Sequence, residues 1–292
     1  MNQGLLPSVA EKGHIGQALL QVARCHRRGA LLRQAFEKAE RIQRERQPQY
    51  PRLYSLQGAQ YCDLLLDLGD ASGVRNRAWQ TLKWYQEAGE RWLLHIAHDH
   101  LSLGRACHLL TFSASGSSDS LRLRAEARGH LDLAVQGLRE AGTQHHLPKG
   151  ILARASFLRD FGPPEDAYRD LREALDLSTR FGLRLHETDA RLLQGHLALD
   201  EDQPQIEAAQ AALSRAQELV KETGYHLRDA DLLILEGRLL ARGQEASSCP
   251  TDKAGGEAKL HEAITVAKRE EADGAVYQVA VDQAERYLKQ IG

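Results

Sequence analysis

Polar side chains recur at two fixed positions ahead of a small residue in three successive segments of the chain. Counting back from Ala155, Gly195 and Gly237, the ninth residue is a histidine or an arginine, and the sixth is a lysine or an aspartate. A column of such side chains along a repeat protein favours a surface that binds a charged or hydrogen-bonding protein or peptide. The same column is also explained if these groups cap helix ends or form hydrogen bonds between repeats. The candidate binding residues, including one neighbouring histidine, are His146, Lys149, His186, Asp189, His226, Arg228 and Asp231.

Histidine and carboxylate pairs are the other candidates for chemistry. His95 and Asp99 are four residues apart, which places two metal ligands on one helix face, but no third ligand accompanies them. His186 and His261 are each followed by glutamate, as in the zinc-protease motif H-E-x-x-H, but both segments lack its second histidine. No G-x-S-x-G nucleophile motif occurs. We therefore predict no metal, no cofactor and no catalytic residue, and interpret the chain as non-enzymatic.

The elements that must position the column follow a pattern repeated between about residues 121 and 240. In each copy a leucine stands three residues before an alanine, and a second small residue follows the alanine after twenty-one positions. A fixed period predicts a repeat architecture, and small residues let two helices approach closely. A weaker fourth copy contains Leu260, Ala263 and Ala284. The predicted repeat anchors are Ala134, Ala155, Ala174, Gly195, Ala216 and Gly237.

A glycine stands eight residues after the alanine in each of the three copies, at Gly142, Gly182 and Gly224. Each one follows an apolar helical run. Glycine is the residue that most often ends a helix in the left-handed conformation. The spacing therefore predicts that the second helix of each hairpin ends at these glycines.

These patterns predict an all-α fold with one domain: a right-handed, tetratricopeptide-like superhelix of about six helical hairpins and a C-terminal capping helix. The N-terminal hairpin is expected over residues 1–50, the central repeats over 51–245, and the last repeat and cap over 246–292. The polar stretches 111–120 and 246–256 are predicted to be loops within hairpins.

Two further structural expectations concern the cap and the tryptophans. The capping helix is predicted from Ala275 to Ile291, with a polar outer side as a solenoid end requires. Trp79, Trp84 and Trp92 are predicted to fill the core between the second and third hairpins.

Composition narrows the class of protein. The formal net charge of −2 provides no basic surface of the kind that nucleic acids bind. The four cysteines are far apart and form no C-x-x-C pair, so neither a disulfide framework nor a zinc site is indicated. The sequence has no basic-then-apolar leader and no apolar run near the ~18 residues that a membrane span needs. We expect a cytoplasmic protein without nucleic-acid or membrane partners.

The hairpin pattern resembles tetratricopeptide repeats of a lengthened kind, with 40, 42 and 47 residues between successive alanine anchors (174 − 134, 216 − 174, 263 − 216). More narrowly, the chain resembles the C-terminal sensor regions of bacterial signal-transduction ATPases of the STAND class (NACHT and NB-ARC types). The resemblance covers about residues 30–240. The segments that carry it are Tyr50–Leu66, Asp99–Ala106, His146–Ala155, Arg184–His186 and Glu222–Asp229.

The resemblance implies that the repeat region binds a trigger in its concave groove and that an ATPase domain, in the same or another chain, responds by oligomerising. The sequence itself contains no G-x-x-x-x-G-K-[ST] phosphate loop. We therefore expect either a sensor fragment or a separate repeat protein. Two alternatives stay open: a free-standing adaptor that uses its convex face or long loops, and a regulator whose groove takes a metabolite.

Overall fold

The computed structural model of the chain describes residues 29–89, 92–243, 252–268 and 276–291. Every regular element in these ranges is helical and none is a strand, which confirms the all-α prediction. Residues 1–28 of the predicted N-terminal hairpin lie outside the described residues. The α-helices are α1 (Gly29–Arg46), α2 (Ser55–Asp67), α3 (Ala71–Ala88), α4 (Leu93–Thr111), α5 (Ser117–Glu140), α6 (Leu147–Phe161), α7 (Pro164–Arg180), α8 (Arg184–Asp200), α9 (Ile206–Thr223), α10 (Asp229–Gly243), α11 (Lys253–Lys268) and α12 (Gln278–Ile291), with a 3-10 turn at His226–Arg228.

Consecutive helices pack together as hairpins, and the even-numbered helices also pack against one another. Helix α2 contacts α4, α4 contacts α6, α6 contacts α8, and α8 contacts α10. In a curved stack of helices, those on the inner side of the curve lie closer together than those on the outer side. Helices that contact the next helix but one along the chain therefore form the inner side. We call the even-numbered helices α2 to α12 the inner row. Its last member, α12, contacts both α10 and α2, so the row returns to its beginning.

The repeat anchors lie at contacts between helices. A methyl group on Gly195 would lie 2.5 Å from the side chain of Leu235, and one on Gly237 would lie 2.9 Å from the carbonyl oxygen of Gly256. Gly195 therefore permits close packing of α8 on α10 within the inner row, whereas Gly237 permits close packing of α10 on its hairpin partner α11. The alanine anchors are fully buried: Ala134, Ala155, Ala174 and Ala216.

We expect Gly237→Ala to lower the free energy of unfolding by about 1–2 kcal/mol, because the added methyl group meets backbone that cannot move aside alone. The matched control is Gly129→Ala. Gly129 lies within α5, and a Cβ there would meet nothing within 4 Å. At that position alanine should stabilise by up to about 1 kcal/mol through its helix propensity. Thermal melts followed by circular dichroism compare the two variants, and equal stabilisation by both would contradict the proposed close contact at Gly237.

The three glycines predicted to end helices do so. Gly142, Gly182 and Gly224 have φ angles of 68°, 64° and 68°, just after α5, α7 and α9. A side chain in this left-handed region is strained, which explains why the same residue type recurs there.

The predicted loops are shorter than expected. Helix α5 begins at Ser117, inside the stretch 111–120, with Asp119 in its first turn where a negative charge is favourable. Helix α11 begins at Lys253, inside the stretch 246–256, and Asp252 caps it by accepting a 2.8 Å hydrogen bond from the Gly255 amide. Residues 246–251 of the second stretch lie outside the described residues.

Two of the three tryptophans are not core residues. Trp79 and Trp92 are 46% and 43% exposed, so the core prediction is wrong for both. Trp79 lies edge-on against His130 on the outer side of α3 and α5. Trp84 is half-buried and packs edge-on against Tyr50 and Tyr54. Their size alone predicted burial, but Trp92 directly precedes α4, where it packs against Tyr85 and His95.

None of the described helices combines the length and the apolar content required to cross a bilayer. The two cysteines within the described residues, Cys62 and Cys107, are buried as free thiols.

Candidate functional site

Three of the predicted binding residues meet in one group, which we call the Arg228 cluster (Asp189, Arg228, Asp231 and Tyr277). The 3-10 turn ahead of α10 holds Arg228, whose Nε donates to Asp189 Oδ1 of α8 at 2.7 Å. Its Nη1 donates to Asp231 Oδ2 at 3.4 Å and to the hydroxyl of Tyr277. Burial raises the pKa of Asp231, although Arg228 opposes this shift. The cluster thus links α8 and α10 to the start of α12.

Two more predicted residues belong to a second group, the Lys149 cluster (Asp63, His98, His146 and Lys149). Lys149, in the first turn of α6, donates to the carboxylate of Asp63, which is buried in α2. The ring of His146 lies edge-on to that of His98 of α4, with 4.7 Å between centroids. The sequence separates Lys149 from Asp63 by 86 residues. Only the contact between distant inner helices brings the pair together.

The histidines of the Lys149 cluster are held neutral. Burial lowers the pKa of His98 well below its ordinary value, and Lys149 and His146 lower it further. Burial and the neighbouring His145, Lys149 and His186 lower the pKa of His146 to about 4. Neither ring nitrogen of His98 has a hydrogen-bond partner among the described residues. A proton added here would therefore be a buried charge beside the Lys149 ammonium group.

The third group, the Asp200 cluster, was not predicted (Arg159, His196, Asp200, Arg238 and Tyr287). Asp200, at the end of α8, accepts from Arg159 Nε at 2.5 Å and from Arg238 Nη2 at 2.5 Å. Burial alone would raise the pKa of Asp200, but the two guanidinium groups hold it below its ordinary value. Arg238 Nη1 also donates to His196 Nδ1 at 2.7 Å. The group joins α6, α8 and α10 to α12.

Two of the predicted residues lie at the margin of these groups. His226 is exposed and pairs with Asp229 at the start of α10, at 3.3 Å. His186 lies near enough to His146 to lower the pKa of that histidine. Among the predicted residues, Lys149, Asp189, Arg228 and Asp231 make hydrogen bonds between or within repeats, as the alternative interpretation of the column anticipated. Binding of a partner by the column stays a prediction.

The histidine-rich helix α4 makes internal contacts. His100 Nδ1 lies 3.0 Å from His130 Nδ1 of α5, and His108 Nε2 lies 2.8 Å from Asp160 Oδ2 of α6. Burial raises the pKa of Asp99 to about 7, although a hydrogen bond from Thr81 lowers it in part. Within the part of the chain that the structure describes, no three histidine, cysteine or carboxylate side chains are grouped as metal ligands.

Two of the residues that sequence reasoning missed share one signal. Asp63 stands in the apolar run Cys62 to Leu66, and Arg238 stands between Gly237 and Leu239. A single charge inside an apolar run is costly to bury without a partner. It therefore indicates an interior ion pair, but not which distant residue completes the pair.

No family model, curated protein or solved structure matches the chain. The resemblance to tetratricopeptide repeats and to ATPase sensor regions therefore stays a prediction, and the function has to be argued from the three clusters.

Proposed function

We propose that the chain is a non-enzymatic recognition module, a tetratricopeptide-like superhelix that binds a protein or peptide through the polar side chains of its inner row. One observation carries this proposal: charged side chains of α2, α6, α8 and α10 meet inside the row as the Lys149 and Arg228 clusters. A buried ion pair contributes little net stability compared with apolar residues of similar volume. Charges placed there by four helices are better explained by recognition than by packing.

The Arg228 cluster suggests how a ligand is recognised. The guanidinium group of Arg228 offers five N–H donors in a planar fork that matches a carboxylate. A carboxylate of the partner replaces Asp189 on this fork, and a basic group of the partner pairs with the aspartate that is released. Such an exchange conserves the number of ion pairs, so binding requires no unpaired buried charge.

A role as the sensor of a signalling or defence ATPase is the more specific form of the proposal, and it rests on the resemblance alone. The DNA on both sides of the coding segment tests it directly. An ATPase domain encoded in frame, or in the adjoining gene, supports the sensor. Neighbouring genes for the subunits of an unrelated complex support an adaptor instead.

The binding surface is tested by photo-crosslinking in living cells. The photoreactive residue p-benzoylphenylalanine replaces either His186 at the start of α8 or Leu133 on the outer side of α5, where the leucine is 48% exposed. We expect the His186 position to capture one protein or peptide, and Arg228→Ala in the same chain to reduce that capture at least tenfold. Capture from Leu133 alone would contradict binding by the inner row.

The adaptor alternative is supported by the outer surface of α3 and α5. Trp79 of α3 and Leu121 and Leu133 of α5 are 46%, 64% and 48% exposed. Large apolar side chains exposed on neighbouring helices favour a contact with another protein. The same pair of crosslinking positions separates this alternative from the inner-row proposal.

A further inference from the structure

Helix α12 reaches far beyond the hairpin that precedes it. A cap on a repeat stack contacts only its nearest neighbours, here α10 and α11. Helix α12 contacts both, and it also contacts α2. At its start, Gln278 lies against Gly69, where an added Cβ would be 3.0 Å from Gln278 Cβ. Near its end, Arg286 reaches Phe112, directly after α4, and Tyr287 reaches α6 and α8.

One side of α12 is made of small apolar side chains. Ala280, Val281 and Ala284 are at most 1% exposed and belong to one cluster with Ile234 of α10 and Leu260 of α11. Small side chains let a helix approach closely without requiring a deep complementary pocket. The apolar side therefore docks α12 on a shallow surface.

The other anchors of α12 are polar and aromatic. The hydroxyl of Tyr287 accepts a hydrogen bond from Arg159 Nη2 at 2.5 Å, and its ring stacks on His196. The guanidinium carbon of Arg238 lies 4.2 Å from the centre of the same ring. Arg286 lies over the ring of Phe112 at 3.9 Å. These contacts place an adjacent arginine and tyrosine on the ends of four inner helices.

We propose that α12 is a built-in ligand of the rest of the inner row (α2 to α10), and that the partner which displaces it is an amphipathic helix of the same chemistry. Such a helix presents small apolar residues on one side and an arginine followed by a tyrosine near its end. This proposal rests on the proposed function, since it names the partner class and the regulation of the same surface. The chain covers its own binding surface until a competing helix replaces α12.

A peptide with the sequence of residues 276–291, labelled with fluorescein, serves as the probe in anisotropy titrations with the full chain. In the unchanged chain α12 competes at the millimolar effective concentration typical of a short link, so little peptide binds. Ala284→Glu places a charge in the apolar contact and detaches α12. We expect this variant to bind the peptide at least tenfold more tightly than the unchanged chain. Lys289→Glu introduces its charge at an exposed position of α12 and should leave peptide binding unchanged.

A disulfide lock provides the opposite test. The Cβ positions at Gly69 and Gln278 are 3.0 Å apart, close to the ~3.5–4.5 Å that a disulfide spans. In a chain with Cys25→Ser and Cys249→Ser, the pair Gly69→Cys and Gln278→Cys should abolish peptide binding when oxidised and restore it when reduced. Gly69→Cys alone controls for the strain of a side chain at φ 85°. Equal binding to the oxidised and reduced forms would overturn the proposal.

Hydrogen exchange of the unchanged chain decides the matter if Ala284→Glu prevents folding. Amides of α12 should exchange at least tenfold faster than those of α10, because a displaceable helix opens without global unfolding. Exchange of α12 and α10 at one common rate would show that α12 is an inseparable part of the fold, and the proposal would fail. None of these measurements requires the natural partner, so they stay informative even if crosslinking at His186 captures no partner.

Discussion

Replacing Asp200 with alanine is expected to lower the free energy of unfolding by about 3 kcal/mol, and the melting temperature by roughly 6–12 °C. Asp200, whose own side chain is 33% exposed, is the shared anion of Arg159 and Arg238, whose side chains are only 11% and 5% exposed. Without it, two buried guanidinium groups face each other with no carboxylate between them. Removing one partner of a buried ion pair costs far more than the pair contributes, because the remaining charge stays desolvated.

The matched control for Asp200 is Asp176→Ala. Asp176 accepts from Arg180 at the same 2.5 Å, but the two side chains are 58% and 62% exposed. Water replaces the lost carboxylate there, so we expect a change below about 0.5 kcal/mol. Chemical denaturation of the three proteins gives both differences. A loss at Asp200 no larger than that at Asp176 would mean that water reaches Arg159 and Arg238, which would contradict the burial of these two guanidinium groups.

Local spacing predicted the helices and their ends because the rules that set them act over a few residues. Gly224 ends α9 for a reason confined to its own φ angle. The start of α11 was missed because Gly255 and Gly256 made the stretch look like a loop, although Asp252 supplies a helix cap.

The clusters could be predicted only in part because a charge selects its partner in three dimensions. The recurring positions led to Asp189 and Arg228, which are 39 residues apart and bond between repeats. Nothing in the local pattern pairs Arg159 with Tyr287, 128 residues away. That contact requires the curvature of the whole inner row. Each hairpin is rotated slightly relative to the one before it, and these rotations add up to the curvature.

The same limitation explains why α12 was interpreted as a simple cap. Its interleaved polar residues predicted an outer side facing water. In the structure Arg286 and Tyr287 face the ends of other inner helices, because the row returns to its beginning at α2. A polar helix face therefore indicates exposure to solvent only when the positions of the neighbouring helices are known.

The second large effect expected is loss of stability in weak acid. In the folded chain, burial lowers the pKa of six histidines, which lie mostly on the inner row, whereas an unfolded histidine has a pKa of about 6.5. Between the two values the unfolded chain binds more protons, so stability falls as the pH falls. For His100 and His146, with pKa values of about 4, the window runs from about pH 6.5 down to about pH 4. The six are His95, His98, His100, His130, His146 and His196.

His98→Leu measures the contribution of one of these histidines. Since neither ring nitrogen of His98 is hydrogen-bonded among the described residues, leucine removes the titration without leaving a partner unpaired. Each buried neutral histidine contributes a slope of about 1.4 kcal/mol per pH unit within its window. Denaturation at pH 6 and pH 5 should therefore show an acid loss smaller by about that amount in His98→Leu. His261→Leu, at an exposed position of α11, is the control.

Asp99 acts in the opposite direction, and this opposition makes the assignment testable. Its folded pKa of about 7 lies above that of an unfolded aspartate, so the folded chain takes up a proton first as the pH falls below 7. Asp99 therefore offsets part of the loss caused by the histidines, down to about pH 4. Asparagine keeps the shape of the side chain but cannot take up that proton. Asp99→Asn should steepen the fall of the free energy of unfolding with pH, whereas His98→Leu should make that fall shallower. If the slope changed in the same direction for both variants, these two buried groups would not set the response to acid.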